Sequence, residues 1–337
     1  MKVLVYGAGV IGCYLTHVLC EAGNDVTLLA RGDWKSVLET KGLTIRHHLQ
    51  RKTTTDHPHI IGQVDVSQHY DVVFAVMQHQ QMTQILDVLA VANSPLLVLV
   101  GNNMSAPQME ARIQAHTVTP KTILFGFQGT GGRRENGKVV GVRFGGGSMS
   151  IGGLGMELSD EIRATVTGLF RETKYKLTWV SDMDAWYKCH LAFILPICYL
   201  SYFLDCDLTR CTRRQLSQGM GAVREGYDLL SALNYPILPE DTIDKLTGAR
   251  GVLSYAMMWI MAKTAVGRLA ATDHCCHAVT EMEGLDRAWT ELRKRAPDFP
   301  MPNWDALRGA MPDWESLHQR YDNRGGTYYD GTQPKSI

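Results

Sequence analysis

The chain is 337 residues long, which at about 150 residues per domain points to two domains. Apolar residues make up 45% and charged residues 20%, a balance that excludes a disordered chain. Lys plus Arg and Asp plus Glu each total 34, so the net charge is zero and no basic excess exists to hold nucleic acid. The eight cysteines contain no C-x-x-C pair and are too sparse for a disulfide scaffold. Met1-Lys2 runs straight into the strand-like Val3-Leu4-Val5-Tyr6, leaving no room for a signal peptide. The most apolar later stretch, Cys189 to Leu204, contains His190 and Pro196 and is shorter than the ~20 residues of a membrane span. A soluble protein of the reducing cytoplasm is expected.

In chain order, Val3–Tyr6 reads as a buried strand. Val10–Ala22 reads as a helix with Ile11, Leu15, Val18 and Leu19 on one face, stopped by Gly23-Asn24. Val26–Ala30 is a second strand, and Asp33–Lys41 a short helix ending at Gly42. Strands follow at Asp71–Val76, Leu96–Val100 and Thr122–Phe127, with helices near Met82–Val91 and Ala106–Ala115. This alternation predicts a parallel α/β sheet. Between Gly126 and Gly155 glycines recur every few residues, and Lys138–Phe144 and Ser148–Gly152 predict antiparallel strands. Ser159 to Glu172 reads as a helix and Lys176–Val180 as a strand. From Asp182 onward helical patterns take over, at 184–204, 213–234, 239–248 and 251–296. Two short helices then start at Pro302 and Pro312, in a local duplication. The expected layout is an α/β domain over 1–181, an all-α domain over 182–320 and a polar tail over 321–337.

Gly7-Ala8-Gly9-Val10-Ile11-Gly12 is a G-x-G-x-x-G placed between the first strand and the first helix. There its backbone N–H groups face a pyrophosphate at the positive helix end. Gly7 permits the tight turn, Gly9 the approach of the phosphates, and Gly12 the close packing of helix on strand. The loop makes the first domain a Rossmann-type dinucleotide-binding domain. The second strand ends Leu28-Leu29-Ala30-Arg31-Gly32, with no acid before Asp33 to take the ribose hydroxyls of NAD. Arg31 offers a planar guanidinium suited to a 2′-phosphate, so NADP(H) is the expected cofactor.

Together these pieces resemble the ketopantoate reductase (2-dehydropantoate 2-reductase) family, from Met1 to about Leu307. Besides the glycine loop and Arg31, the resemblance rests on Gly101-Asn102-Asn103-Met104, where the family has Gln-Asn-Gly, and on Trp186-Tyr187-Lys188 for its Trp-x-Lys. It also rests on Thr280-Glu281-Met282-Glu283 for Thr-Glu-Ile-Asp and on Pro302-Asn303 for Pro-x-Asn. The resemblance implies reduction of a 2-oxo acid to a 2-hydroxy acid by NADPH, in a cleft between the two domains. It gives Lys188 the role of general acid, while Glu281 bonds the substrate or orients the lysine and Asn102 holds cofactor or substrate.

The departures bear on the substrate. Where the family carries asparagines one and two turns after the lysine, this chain has Ala192 and Pro196. The family lysine after the strand at 71–76 is Met77, although Gln80 on the cofactor side is retained. The family serine about a dozen residues before the Thr-Glu corresponds to Leu269 or its neighbourhood. A different, less polar oxo substrate is therefore one alternative. A non-catalytic NADP-sensing module is another, against which the joint presence of Lys188 and Glu281 speaks. Asp273-His274-Cys275-Cys276-His277 matches no zinc spacing, so no metal is expected. Asp273 and His274 are read instead as lining the substrate cleft, where His274 or His277 replaces lost polar groups. His190 reads as a core or interface histidine, and His47-His48, His57 and His59 as parts of a polar, exposed segment. Met257-Met258-Trp259-Ile260-Met261 has the pattern of a buried helix or subunit interface, and a homodimer through the helical domain is one expectation.

Overall fold

The computed structural model describes residues 1–264, 267–268 and 272–321. They form two compact units, one from Met1 to Asp184 and one from Ala185 onward. The tail beyond Tyr321 and Leu269 lie outside the described residues.

The first unit runs β1 (Lys2–Tyr6), α1 (Val10–Glu21), β2 (Asp25–Leu29), α2 (Gly32–Lys41), β3 (Leu43–His47), β4 (Lys52–Asp56), β5 (His59–Ile61), β6 (Val72–Val76), α3 (His79–Val91), β7 (Leu96–Val100), α4 (Ala106–His116), β8 (Thr122–Gln128), β9 (Gly131–Glu135), β10 (Lys138–Val142), β11 (Ser148–Gly152), α5 (Asp160–Gly168) and β12 (Lys176–Trp179). Eight strands form one sheet, in the order β12-β11-β8-β7-β6-β1-β2-β5. From β8 to β5 the pairing is parallel throughout. β6 and β7 are buried at every residue, which is why they read as unbroken apolar runs rather than alternating ones. The chain order reverses between β1 and β6, so their C-terminal ends stand side by side at the switch point where such sheets take ligands.

β4-β3-β10-β9 form a second sheet. α1 packs against both β1–β2 and this second sheet, and Gly12 through Leu19 are all buried. Polar side chains line that second interface. His17 Nδ1 lies 2.8 Å from Asp56, His47 Nε2 lies 2.8 Å from Thr54 Oγ1, and the Arg143 guanidinium sits 5.0 Å from the Tyr14 ring centre. His47 is thus 1% exposed, a correction to its sequence reading; the exposed His57 and His59 keep theirs. Strands β3, β4, β5 and β9 escape the sequence pattern because Thr and Lys dominate β4, Gly and Arg dominate β9, and β5 has only three residues. β10 pairs antiparallel with β9 and β11 with β8, as expected, yet each also has a parallel neighbour. The helix expected to reach Glu172 stops at Gly168.

The second unit is helical. It begins within α6 (Met183–Phe203) and continues with α7 (Arg213–Ala232), α8 (Gly248–Ala262), then Asp273–His277, Val279–Arg293, Pro302–Ala310 and Trp314–Tyr321. α7 starts with a reciprocal cap between Thr212 and Gln215. α6 and α7 meet closely: a Cβ on Gly226 would lie 3.0 Å from the Ala192 methyl and 3.1 Å from Trp304. Pro196 sits buried inside α6 and has no N–H for the Ala192 carbonyl. Asp286, fully buried, accepts from Tyr199 at 2.6 Å, from Arg308 twice at 2.8 Å and from the Trp314 indole at 3.2 Å. Next to it Trp289 stacks on Trp304 at 4.7 Å.

Two helical expectations change. The stretch 239–248 contains only a short 3-10 turn, Asp244–Leu246, and the pattern over 251–296 is divided among separate helices. α8 is not buried all round, since Val252, Leu253, Met257 and Ile260 are each more than half exposed. No helix among the described residues is long and apolar enough to cross a membrane.

Candidate active site

In the first unit the chain leaves β1 at Tyr6 and turns through Gly7 at φ +126°. A Cβ there would stand 2.2 Å from the Val76 carbonyl oxygen, across the switch point; one on Gly12 would stand 1.8 Å from the Gly7 carbonyl oxygen. The loop is therefore closed upon itself and upon β6, and only glycine fits either place. Gly9 caps α1 with extended backbone and no side chain, and the first turn, which includes Val10 and Ile11, carries no acid. Ala8 is buried behind it, its carbonyl 3.4 Å from the Cys13 thiol. The first N–H groups of α1 and the helix dipole make this terminus a receptor for an anion.

Arg31 stands exposed just beyond β2 and donates to the Tyr6 hydroxyl at 3.0 Å. Tyr6 thereby anchors the guanidinium next to the loop, a role that its place at the end of an apolar strand does not announce. On the other side of the switch point, Gly101 follows β7 at φ +152°, and a Cβ on it would lie 2.5 Å from the Met77 carbonyl oxygen. Met77, His79, Gly101, Asn102 and Met109 line a small recess there. Gln80 lies in the first turn of α3 and donates to Gln78 at 2.7 Å. The structure thus brings the glycine loop, Arg31, Met77, Gln80 and Asn102 to one edge of the sheet, the C-terminal ends of its strands.

In the second unit, Lys188 is only 6% exposed, and its amine sits 4.9 Å from the centre of the Tyr235 ring. Arg295 donates to the Tyr235 hydroxyl at 2.7 Å, with its guanidinium 5.4 Å from the same ring. The aromatic face favours the ammonium in a place with little water. Tyr235 and Arg295 are 60 positions apart, and no sequence spacing joins them to Lys188. Glu281, also buried, lies 3.4 Å from His274. One turn apart on α6, Trp186 and His190 stack at 5.1 Å. Two positions from each, Lys188 points to a different side of α6, at about 200° around the axis. Burial and the neighbouring His274 push His190 down to about 3. Partial burial also pulls His274 down, but the Glu281 carboxylate overcomes it and holds the ring above its ordinary 6.5. Ala192, fully buried against Gly226, and Pro196 belong to the packing of α6. Asp273 opens the short helix that carries His274.

Residues 3–155 match the model of the family described as ketopantoate reductase PanE/ApbA. Over 87 residues, 26% of its length, the chain is 34% identical to the uncharacterized oxidoreductase YkpB of Bacillus subtilis (strain 168), and the match spans 28% of that protein. Among solved structures, the 2-dehydropantoate 2-reductase of Methylococcus capsulatus is similar with a TM-score of 0.67 at 17% identity, over 95% of this chain and 98% of that one. A PanE/ApbA family ketopantoate reductase from Ralstonia eutropha JMP134 gives 0.67 at 15% identity, over 96% and 100%. D-mandelate dehydrogenase with NADH and anilino(oxo)acetate gives 0.70 at 15% identity, over 96% and 100%. At these identities the structures establish the fold.

Proposed function

We propose, because residues 3–155 match the model of the ketopantoate reductase PanE/ApbA family, that this chain reduces a 2-oxo acid to the 2-hydroxy acid with NADPH. The observation that carries this reading is the glycine loop closed against Val76 with Arg31 tied beside it. Those residues fit a dinucleotide: the N–H groups of α1 would take the pyrophosphate and Arg31 a 2′-phosphate. When bound, the nicotinamide supplies the hydride. The proton comes from Lys188 Nζ, whose ammonium polarises the carbonyl and stabilises the developing alkoxide. Tyr235 and Arg295 hold that amine in place, and its burial keeps bulk water from levelling its charge.

NADPH oxidation against a set of 2-oxo acids tests the reading. Turnover of at least one is expected, with Lys188→Ala lowering it by about 10²–10⁴ while NADPH affinity is kept. Arg31→Ser should reduce the preference for NADPH over NADH by about ten- to a hundredfold, the loss of one or two charge-assisted hydrogen bonds. A wild-type preference for NADH refutes the role of Arg31. Undiminished turnover in Lys188→Ala refutes the acid. Tight NADPH binding with no turnover on any acid refutes the reaction and favours the sensing module.

A further inference from the structure

One side of α8 turns toward α7, where Tyr255 donates to the Arg213 carbonyl at 3.0 Å. Its other side faces solvent with Ala249, Val252, Leu253, Ala256, Met257 and Ile260, all exposed and all apolar. At 100° per residue these six fall within an arc of about 140°, over a length of about 16 Å. No charged side chain interrupts them between Arg250 and Lys263. Ala249, Leu253, Ala256 and Ile260 follow at intervals of four, three and four, the period of a seam that packs against a second helix. An exposed apolar stripe of this extent, rimmed by charges, marks an interaction surface. The ends of the stripe differ in charge. The exposed Glu240, Asp241 and Asp244 precede it, the latter two reaching Lys245 and Arg250 at 2.6 Å and 3.9 Å. At the far end Lys263 and Arg213 stand 4.6 Å and 5.9 Å from the centre of the Trp259 ring, and the exposed Arg268 follows.

We propose that this stripe docks a second copy of the chain, α8 against α8, antiparallel about a two-fold axis through Ala256. A two-fold axis makes one face meet itself, so the stripe has to be its own complement. With Ala256 on the axis, Val252 of one copy stands level with Ile260 of the other, and the small Ala249 and Ala256 let the helix axes approach closely. A parallel pair would bring the cationic ends together. The antiparallel pair sets each cationic end beside the other copy's acids and opposes the two helix dipoles. The glycine loop, Arg31 and Lys188 lie on other elements, so the pairing stands or falls independently of the reduction proposed above.

Sedimentation velocity of the full chain over a dilution series is the first measurement. A dimer is expected at about 10 μM. Leu253→Glu, which puts a carboxylate into the seam, should weaken it at least about a hundredfold. Because Leu253 is exposed in the single chain, that variant should keep the wild-type circular dichroism, which separates loss of pairing from loss of fold. Oxidative cross-linking reads the register, with wild type and its eight free cysteines as the control. Val252→Cys mixed with Ile260→Cys should give cross-linked dimers that neither variant gives alone. Wild type monomeric up to about 100 μM overturns the proposal, and another protein or the chain's own C-terminal tail is then the occupant. A dimer indifferent to Leu253→Glu overturns it by placing the interface elsewhere. Cross-links from Val252→Cys to itself overturn it by making the two helices parallel.

Discussion

The two units carry their chemistry in different materials. In the first, the candidate cradle is made of backbone: N–H groups at the start of α1, and three glycines, Gly7, Gly12 and Gly101, at which a Cβ would strike a carbonyl oxygen. In the second, the candidate groups are side chains, Lys188 against Tyr235 and His274 against Glu281, each pair assembled by helix packing. A backbone site tolerates almost any neighbour but no Cβ. A side-chain site tolerates local change as long as the helices that present it stay packed.

The largest effect should come from the backbone side. Gly12→Ala places a methyl 1.8 Å from the Gly7 carbonyl oxygen, with no flexible group to yield. NADPH affinity, read by fluorescence titration, should fall at least about a hundredfold. If affinity survives, the loop is not the cradle and the contrast between the units fails. Next in size is Asp286→Ala, which leaves Tyr199, Arg308 and Trp314 without their common acceptor. A loss of about 3 kcal/mol is expected in urea unfolding, allowing for the partial exposure of Arg308. NADPH affinity should hold, because the damage is to packing in the other unit.

The smallest effect concerns acid. Burial, then His17, Arg143 and Lys52, depress His47 to about 3 in the folded chain. An unfolded histidine takes a proton near 6.5, so between those values the unfolded state binds more protons and stability falls as pH falls. At pH 5 this amounts to about 2 kcal/mol relative to pH 7, with no further loss below about pH 3. His47→Gln should flatten that dependence in urea midpoints measured at pH 7 and pH 5.

The same contrast explains what the sequence disclosed. A G-x-G-x-x-G between a strand and a helix states a backbone requirement in adjacent letters, so the closed loop and the parallel core of β1, β2, β6, β7 and β8 were readable. The second sheet was not, because β4 is rich in Thr and Lys and β9 in Gly and Arg, and they gain their place only by pairing with β3 and β10. His47 looked exposed for the same reason: its burial depends on α1 and on Arg143, 96 positions away. In the helical unit, the 3.6-residue period found most helices but not their breaks. Spacing alone also could not show that Ala192 is spent on contact with Gly226, or that Tyr235 reaches Lys188.

Pro196 also bears on the stiffness of α6. Without the bond to the Ala192 carbonyl, α6, though helical from Met183 to Phe203, bends more easily at that turn than a helix with every backbone bond in place. The segment bearing Trp186, Lys188 and His190 can be re-aimed by small changes at its own contacts while the Cys198–Phe203 segment stays anchored. Descendants of this chain could retune substrate choice by altering a bend, with every reacting group left in place.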